Sequence, residues 1–392
     1  MTNERLTMNE VVPAESEVIL FSLPFRSRSE SRNLETVLAS GHLHGDGPFT
    51  SAAAGKIQKL TGAAHVLVTT SATHALEMAS ALLGIGAGDE VILPSFTFPS
   101  AADAVARTGA RCVFVDIDCA TGNIDPQQVS EAIGPRTKAI SIMHYGGVPV
   151  DIDAIETIAH DRGLPIIEDN AHGLGVAAGD RTLGSVGAFA AQSFHDTKNV
   201  QCGEGGALLI NDPSFVERAE IMREKGTNRS QFLRGQIDKY SWVDWGSSYL
   251  PSELNAAVLD SQLDDFAEIQ HRRFSIWDRY AADLAEWADA NRVERMSPPL
   301  GIHAAHLFYL RMPTWDAQGA LISHLRAAGI VATFHYVPLD TSQAGRRFGR
   351  SLQPLTKSED FSRRLVRLPL WAGMTDDQLE RVVTAVREFR VL

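Results

Sequence analysis

The chain has 392 residues, of which 44% are hydrophobic and 21% are charged, and its formal net charge is −12. A chain of this length is expected to fold as two domains. Its acidity argues against nucleic acid as the main partner, because phosphate backbones bind basic surfaces. No run of roughly 18 or more apolar residues occurs, so the sequence predicts no membrane-spanning helix.

Short apolar runs alternate with helical patterns in the first half of the chain. Strands separated by helices imply an α/β fold with a mostly parallel sheet that is covered by helices on both faces. No helix separates the last three strands, which predicts hairpin-like additions and therefore a mixed sheet. The predicted strands are 65–70, 90–95, 111–117, 138–145, 165–169, 188–195 and 206–212.

The pattern changes from about residue 213, where long helices and then a smaller α+β portion follow. We place a domain boundary near residue 262, so that residues 1–262 form a large α/β domain with the N-terminal segment and residues 263–392 form a small one. Residues 225–249 are polar and aromatic without periodicity, and a loop of that length tends to be functional or to contact a partner. The predicted elements here are helices at 213–225, 250–288, 315–328 and 375–389, and strands at 306–312 and 331–338.

Residues at the carboxyl ends of the strands are the candidates for chemistry, because ligands of parallel α/β sheets bind there. After the first predicted strand, Ser71 and Thr73 stand where a helix begins. This position suits a helix N-cap, and the free amides of a helix start also suit a phosphate. No GxGxxG pattern follows the strand, which disfavours a dinucleotide site.

Aromatic and acidic residues end two further strands. Phe96 and Phe98 follow the second strand, either as core residues or with one of them stacked on a planar cofactor. Asp169 ends the strand PIIED, where a buried carboxylate is costly unless a donor or a cation pairs with it. A protonated ring nitrogen would be such a partner, and a structural N-cap is the alternative.

Lys198 lies in SFHDTKNVQCGEGG, a loop between two predicted strands. Alone it would be an ordinary solvated lysine. A phosphate site, an aromatic face, a carboxylate and this lysine, however, all fall at carboxyl ends of strands in one sheet. Pyridoxal 5′-phosphate (PLP) requires these four parts, because a lysine amine forms its Schiff base and a carboxylate keeps its pyridine nitrogen protonated.

The sequence resembles the DegT/DnrJ-type sugar-nucleotide aminotransferases, which are fold type I PLP enzymes. The resemblance covers nearly the whole chain, from SGHLHGDGPFT near residue 40 to RLPLWAGMTDDQLERVV at 367–383, and SFHDTKNVQCGEGGALLIND matches the lysine segment of the family closely. It implies a mixed, mostly parallel sheet sandwiched by helices, with a smaller C-terminal α+β domain.

The motifs of this family imply which residues would hold the cofactor ring. Lys198 would form the Schiff base and would be the catalytic residue. Asp169, in EDNAH, would bind the pyridine nitrogen, and His172 would lie near the phenolic oxygen of the ring. Phe96 would stack on the ring. No metal is expected.

The resemblance also implies a phosphate site that two subunits share. Ser193, five residues before the lysine, would bind the phosphate together with the amides of Ala72 and Thr73. Asn228 matches a residue that family members extend across a dimer interface to the neighbouring phosphate. The implied assembly is a homodimer with shared active sites.

The segment 223–257 resembles, more narrowly, the branch that aminates C4 of dTDP-4-dehydro-6-deoxy-D-glucose, as in the bacterial dTDP-4-amino-4,6-dideoxygalactose transaminases. The implied partners are this dTDP-sugar and L-glutamate, with Lys198 as the general base and acid that moves the proton. His335 and Tyr336 would approach the sugar or the donor, and a structural histidine in a strand is the alternative. Either configuration at C4, galacto or gluco, is compatible with the motifs.

One departure from the family concerns Ser248 and Leu250, which replace its usual Asn and Arg, so no role is taken over from that Arg. Three alternatives remain: an aminotransferase acting at C3 or on another nucleotide sugar, a non-catalytic relative that serves as a binding or regulatory module, and a Rossmann-type nucleotide binder. Lys198 argues against the related 3-dehydratases, which carry histidine at this position.

Cysteine use and the N-terminus bear on the compartment. The three cysteines are few and unclustered, which fits a reducing cytoplasm. Their spacing matches no zinc-binding motif. The first 17 residues, MTNERLTMNEVVPAESE, lack the basic-then-apolar order of a signal peptide. We therefore expect a cytoplasmic enzyme.

Overall fold

The computed structural model describes residues 18–391 and contains one large sheet and two small ones. Residues 1–17, which include the start of the predicted large domain and the stretch compared with a signal peptide, lie outside the described residues, as does residue 392. The strands are β1 His65–Thr69, β2 Glu90–Pro94, β3 Arg111–Val115, β4 Thr137–Met143, β5 Ile166–Asp169, β6 Ala177–Ala178, β7 Arg181–Thr182, β8 Phe189–Ser193, β9 Gly206–Ile210, β10 Glu294–Arg295, β11 Phe308–Arg311, β12 Gly349–Ser351 and β13 Leu365–Leu368.

The large sheet has eight strands in the order β1-β9-β8-β5-β4-β2-β3-β12. The strands from β8 to β12 in this order run parallel, and β9 runs antiparallel to both β8 and β1. The predicted mixed, mostly parallel sheet is therefore confirmed. The antiparallel pair β8–β9 is the predicted hairpin, and its connection carries Lys198.

Helices cover this sheet on both faces. The α-helices of the described residues are α1 Glu30–Ser40, α2 Pro48–Thr61, α3 Ala72–Leu82, α4 Pro99–Ala106, α5 Pro126–Ala132, α6 Ile152–Arg162, α7 Val216–Arg223, α8 Arg229–Leu233, α9 Glu253–Asp264, α10 Phe266–Asp283, α11 Ala285–Ala290, α12 Trp315–Ala327, α13 Gln343–Phe348, α14 Thr356–Arg364 and α15 Asp376–Glu388. Of these, α12 and α15 pack with the small C-terminal sheet and not with the large one. Among the described helices, none is long and apolar enough to cross a membrane.

Strand β2 shows why the strands appear in the sequence as continuous apolar runs. Successive side chains of a strand point to opposite faces. Val91 and Leu93 pack with residues of α3 and α4, whereas Ile92 packs with residues of α5 and α6. Because both faces are covered, all five residues of β2 are buried, and the alternation typical of a half-exposed strand is absent.

The C-terminal part of the chain forms a three-stranded antiparallel sheet, β10-β11-β13, which packs with α12 and α15. The predicted boundary near residue 262 falls inside α9, and β12 returns from the C-terminal part to join the large sheet beside β3. At the other end of the described chain, Ile19 pairs with Ile330 of the small portion. The two parts are thus joined by three separate segments.

The structure differs from the sequence-based expectation at two places in this half. The predicted helix 250–288 is divided at Asp265, whose carboxylate accepts hydrogen bonds from the amide and guanidinium of Arg28, and again at Leu284. The predicted strand 331–338 is wrong, because these residues form only an isolated β-bridge between Thr333 and Arg367, and the rings of His335 and Tyr336 stack on each other at 3.8 Å. Consecutive side chains of a strand point to opposite faces, so this segment lies in loop conformation over the large sheet.

Candidate active site

A cavity of about 480 Å³ lies where β5 and β8 end and α3 begins. Residues of the small portion close its other side. Of the sequence-predicted site residues, those that border the cavity are Ala72, Thr73, Asp169, His172, Ser193, Lys198, His335 and Tyr336. The structure therefore brings eight of the ten together in one place, as expected for the carboxyl edge of a parallel sheet.

Lys198 reaches the cavity from the connection between β8 and β9. Backbone hydrogen bonds shape this connection: the amide of Lys198 donates to the carbonyl of His195, and that of Cys202 donates to the carbonyl of Phe194. Gly203 adopts φ of 79°, a conformation that suits glycine. These contacts give the loop around Lys198 a defined conformation, so Lys198 is not an ordinary solvated lysine.

The amine of Lys198 has no hydrogen-bond partner among the described residues. Burial lowers its pKa from the usual 10.5 to about 8, with Asp169 acting to raise it and Arg367 acting to lower it. Near neutral pH the neutral amine is therefore far more abundant than for a surface lysine. This protonation state suits a nucleophile or a general base.

Glu168 and Asp169 end β5 together but serve different sides of the sheet. Glu168 accepts hydrogen bonds from the amides of Gly184, Val186 and Gly187 and lies 3.0 Å from His144 Nε2, so its carboxylate is fully used in the fold. The carboxylate of Asp169 accepts one hydrogen bond from the described residues, from the amide of Ala171 at 3.1 Å, and Asp169 borders the cavity. Burial raises the pKa of Asp169, while Ala171 and Lys198 act in the opposite direction.

The start of α3 supplies free backbone amides to the cavity. Ser71 is the N-cap, and its hydroxyl accepts a hydrogen bond from the amide of His74 at 3.1 Å. Among the described residues, the amides of Ala72 and Thr73 have no such partner and are donors for an anion. Gly206 of β9 passes against this turn, because a Cβ at that position would lie 2.4 Å from the nitrogen of Ala72. Only glycine permits this approach.

The segment SSYL, where the sequence departs from the wider family pattern, braces the same turn. The carbonyl of Tyr249 accepts a hydrogen bond from the amide of Thr70 at 2.9 Å, directly before the N-cap of α3. The ring of Tyr249 is buried and meets His74 edge-on. Ser248 pairs with Glu224 in a β-bridge. In this chain the segment therefore supports the fold of the amide-bearing turn.

His172 presents a defined tautomer to the cavity. Its Nδ1 accepts a hydrogen bond from the amide of Gly146 at 3.1 Å, so the remaining proton of the neutral ring lies on Nε2. Burial lowers the pKa of His172 well below the usual value, and the nearby His306 and Lys198 act in the same direction. His172 is therefore a neutral hydrogen-bond donor.

Sequence analysis missed His306, which stacks on His172 with ring centroids 4.0 Å apart. The Nδ1 of His306 lies 2.9 Å from Oδ1 of Asn199, whose amide group donates to Gln270 and to the carbonyl of Ala304. Oδ1 is thus an acceptor, and the imidazole proton lies on Nδ1. The signal in the sequence is a histidine directly before the apolar run LFYL, which also suits a structural residue.

Of the two phenylalanines that follow β2, Phe98 borders the cavity and Phe96 does not. Phe96 is 1% exposed, meets Tyr145 and Phe361 edge-on, and belongs to a core cluster. Phe98 is 53% exposed, borders the cavity and is the N-cap residue of α4. The two residues lie two positions apart, and the turn from β2 into α4 buries the first and leaves the second accessible. The structure therefore does not bring Phe96 to the predicted stacking position.

Four side chains from the small portion border the cavity: His306, His335, Tyr336 and Arg367. The guanidinium of Arg367 donates from Nη1 to Nε2 of His335, and Nδ1 of His335 lies 3.3 Å from the hydroxyl of Tyr145. Sequence analysis missed Arg367, although it begins the segment RLPLWAGMTDDQLERVV that carries the family resemblance. In the structure this arginine is 8% exposed.

Asn228 is the one remaining predicted residue, and it does not border the cavity of its own chain. It lies at the start of α8, and its Oδ1 accepts a hydrogen bond from the amide of Ser241 at 2.8 Å. The surrounding loop, residues 225–249, exposes several large aromatic side chains, of which Trp242 is 78% exposed. This location is what a residue contributed to another subunit would have.

The sequence model of the DegT/DnrJ/EryC1/StrS aminotransferase family matches residues 26–387. The chain belongs to this family. The aminotransferase TlmJ from Streptoalloteichus hindustanus shares 30% identity with it over 94% of this chain and 98% of that one, with a TM-score of 0.87. DesV from S. venezuelae shares 32% identity over 92% and 94% of the two chains, with a TM-score of 0.83. The synthase of 3-amino-5-hydroxybenzoic acid shares 27% identity over 95% and 98%, with a TM-score of 0.85.

Aminotransferases of the DegT/DnrJ/EryC1/StrS family depend on PLP, and this chain is therefore a PLP-dependent enzyme. The cavity of this chain fits that cofactor. It offers a shielded lysine amine, a buried carboxylate with a single hydrogen bond, and a helix start whose first amides are free. These are the groups that a reactive aldehyde, a pyridine nitrogen and a phosphate each need.

Proposed function

We propose that this aminotransferase acts on a nucleotide sugar and transfers the amino group of L-glutamate to C4 of dTDP-4-dehydro-6-deoxy-D-glucose. The products would be a dTDP-4-amino-4,6-dideoxyhexose and 2-oxoglutarate. The observation that supports amino transfer most directly is the amine of Lys198, whose pKa is lowered to about 8 beside Asp169 in one cavity. The resemblance of residues 223–257 to the C4-aminating branch supports the choice of sugar and position.

Each group of the cofactor has a counterpart in this proposal. Asp169 would bind the pyridine nitrogen, and the Nε2 proton of His172 would be donated to the phenolic oxygen. The amides of Ala72 and Thr73 would bind the phosphate together with Ser193. Phe98, which borders the cavity, takes the stacking position that the sequence suggested for Phe96. When bound, PLP supplies an electron sink for the negative charge that develops on the donor carbon.

Lys198 moves the proton in this scheme. Its neutral Nζ takes the proton from Cα of the amino donor and later returns one to the sugar carbon that receives the amine. A lysine of ordinary pKa would be neutral far less often near neutral pH, and would therefore be a much poorer base for this step. The burial that lowers the pKa of Lys198 is thus part of the chemistry.

His335 and Tyr336 would contact the sugar or the donor from the small portion. Their rings stack at 3.8 Å and meet Phe96 and Tyr145, so a packed aromatic group fixes their position. Burial lowers the pKa of His335 and raises that of Tyr336, which leaves both side chains uncharged. The uncharged hydroxyl of Tyr336 suits a sugar hydroxyl. Both ring nitrogens of His335, by contrast, are already engaged with Arg367 and Tyr145, so His335 would contact the ligand through its ring.

A homodimer with shared sites belongs to the same proposal. Asn228 would reach the phosphate of the other subunit, and the exposed aromatic residues of loop 225–249 would be covered at the interface. Large exposed aromatic groups close together are typical of an interaction surface. Cytoplasmic location is likewise proposed, on the basis of the unclustered free cysteines.

Lys198→Ala tests the proposal. Wild-type enzyme loaded with PLP should change its visible absorbance when L-glutamate is added and should recover it when the keto sugar follows. Lys198→Ala should lose turnover by roughly 10²–10⁴-fold or more, whereas Lys59→Ala, on the exposed end of α2, should retain it. Turnover by Lys198→Ala at the wild-type rate would refute the role of this lysine, and an unchanged wild-type spectrum would refute glutamate as the donor.

A further inference from the structure

A second and smaller cavity lies beside Lys198 and leaves about 10 Å³ for the centre of a water molecule. Lys198 and His306 border both this cavity and the large one. Gln192, Ser193 and Asn199 also border the small cavity, so its wall is rich in polar groups. A space of this size and polarity suits one water molecule, which typically makes about three hydrogen bonds when it is buried.

His306 offers the small cavity a hydrogen-bond acceptor. Its Nδ1 donates to Oδ1 of Asn199 at 2.9 Å, because the amide group of Asn199 donates to Gln270 and to the carbonyl of Ala304. The proton of the neutral ring therefore lies on Nδ1, and Nε2 keeps a free lone pair. This nitrogen has no hydrogen-bond partner among the described residues.

Lys198 offers the second polar group. Its amine also lacks a hydrogen-bond partner in the part of the chain that the structure describes, and burial lowers its pKa to about 8. Burial lowers the pKa of His306 well below the usual value, and the nearby charge of Lys198 acts in the same direction. His306 therefore accepts a hydrogen bond from water without taking its proton, whereas the neutral amine of Lys198 is the stronger base.

We propose that one water molecule binds between Lys198 and Nε2 of His306, and that amino transfer consumes this water. Lys198 is the base in this step, and His306 is a positioning residue that orients the water. The inference rests on the proposed function, because it takes L-glutamate as the donor, and it adds the source of the water that the reaction needs.

Amino transfer exchanges one water in each half-reaction. When 2-oxoglutarate is released, the water oxygen bonds to the carbon that has lost its proton, and the double bond that joins this carbon to nitrogen breaks. Both water protons end on that nitrogen, and Lys198 carries the first of them. Amination of the sugar runs the same exchange in reverse and releases one water.

The sizes of the two cavities favour the small one as the source of this water. The cofactor and the substrates have to bind in the large cavity of about 480 Å³, so they displace the water that it contains. The small cavity is far too small for either, and Lys198 borders both cavities. A water in the small cavity therefore stays next to the reacting carbon when the large cavity is full.

His303 provides a matched control. It lies in the same segment as His306 and is also buried, but its ring packs on Trp277. Its Nδ1 accepts a hydrogen bond from the amide of Ala305, and it borders neither cavity. His303→Phe should therefore leave the water and the reaction as they are in wild type.

A crystal structure of the PLP-loaded enzyme without substrate tests the water site itself. One ordered water should lie about 2.7–3.2 Å from Nε2 of His306 in wild type and in His303→Phe. His306→Phe should lack this water, because phenylalanine keeps a ring against His172 and removes the acceptor. Absence of the water from wild type, or its persistence in His306→Phe, would overturn the assignment.

Hydrogen exchange separates the use of this water from the proton transfer by Lys198. In D₂O, exchange of the Cα hydrogen of L-glutamate requires the lysine but no hydrolysis, whereas release of 2-oxoglutarate requires both. The ratio of release to exchange should fall about 10-fold or more in His306→Phe. NMR measures the exchange, and a quenched single turnover measures the release.

Val200→Ile tests the cavity without changing a polar group. Val200 borders the small cavity and not the large one, and the added methyl group should occupy the place of the water. The ratio of release to exchange should therefore fall in this variant as well, and His303→Phe should keep the wild-type ratio.

Two kinetic results would contradict the assignment. One is an equal fall of exchange and release in His306→Phe and Val200→Ile, which would indicate a structural role, and the other is an unchanged ratio in both variants. The proposed donor fails separately, if wild type exchanges no Cα hydrogen of L-glutamate. The crystal structure reports on the water site in either case.

Discussion

The protonation state of Lys198 is set by opposing influences. Burial and Arg367 lower its pKa, Asp169 raises it, and the result is about 8. The folded protein therefore holds this amine in an environment that disfavours its charge, whereas the unfolded chain does not. A lowered lysine pKa of this kind is typical of functional sites, where a reactive group makes the folded protein less stable.

Lys198→Met should raise the Tm of the cofactor-free protein at pH 7. Between about pH 8 and 10.5 the unfolded chain binds the lysine proton and the folded chain does not, so the stability of wild type rises with pH across this window. The advantage of the variant should be largest below pH 8 and should shrink towards pH 10.5. Thermal unfolding across this pH range measures it, with Lys59→Met as the control. A difference that does not change with pH would contradict the lowered pKa.

Phe98→Ala and Phe96→Ala should separate cofactor binding from folding. Phe98 borders the cavity, so its removal should weaken PLP binding by about 3- to 10-fold with little effect on stability. Phe96 is buried in the core, so its removal should lower the free energy of unfolding by about 3–5 kcal/mol. PLP titration and urea unfolding measure the two effects. If Phe96→Ala weakened PLP binding and Phe98→Ala lowered the free energy of unfolding instead, Phe96 would be the residue that stacks on the cofactor.

At the scale of elements, the start of α3 is shaped by parts of the chain that are distant in sequence. Gly206 of β9 allows the strand to pass against Ala72, and Tyr249 holds the residue before the N-cap through its backbone. The segment SSYL and the strand that follows Lys198 thus converge on one turn. The free helix start is therefore held from two sides by segments that are distant in sequence.

The loop 225–249 should contribute to the active site of the other subunit. Lys198→Ala and Asn228→Asp should each be strongly impaired, the second because it places a negative charge beside the phosphate. If sites are shared, a mixed dimer of the two variants contains one site with both changes and one with neither. Mixing the purified variants under exchange conditions should therefore restore activity.

The control is a mixture of Lys198→Ala with Asp169→Asn. These two residues border the same cavity of one chain, so this mixture should restore no activity. Failure of the first mixture to recover activity would place Asn228 outside the partner site.

At the scale of the whole molecule, the large sheet could be predicted and the small portion only in part. Each of the seven predicted strands of the first half exists, because a strand buried on both faces is a short apolar run with turn residues around it. The return of β12 to the large sheet and the loop conformation of 331–338 depend on contacts between distant segments. Local patterns do not contain that information.

The same distinction applies to the site. Lys198 and Asp169 stand at or next to ends of strands of the predicted sheet, so the rule that ligands bind at the carboxyl ends of strands located them, whereas Ser193 came from the family motif. Arg367 and His306 come from the small portion and meet the cavity only after the two parts pack. Phe98 could not be told from Phe96, since the choice depends on the turn between β2 and α4.

The central claim is amino transfer to C4 of a nucleotide sugar, and the position of nitrogen in the product tests it most directly. Wild-type enzyme would be incubated with PLP, ¹⁵N-labelled L-glutamate and dTDP-4-dehydro-6-deoxy-D-glucose, and the product examined by ¹H–¹⁵N and ¹³C NMR. We predict ¹⁵N bonded to C4 of the sugar and an equal amount of 2-oxoglutarate. Nitrogen at C3, or an unchanged sugar in the presence of active enzyme and glutamate, would contradict the account.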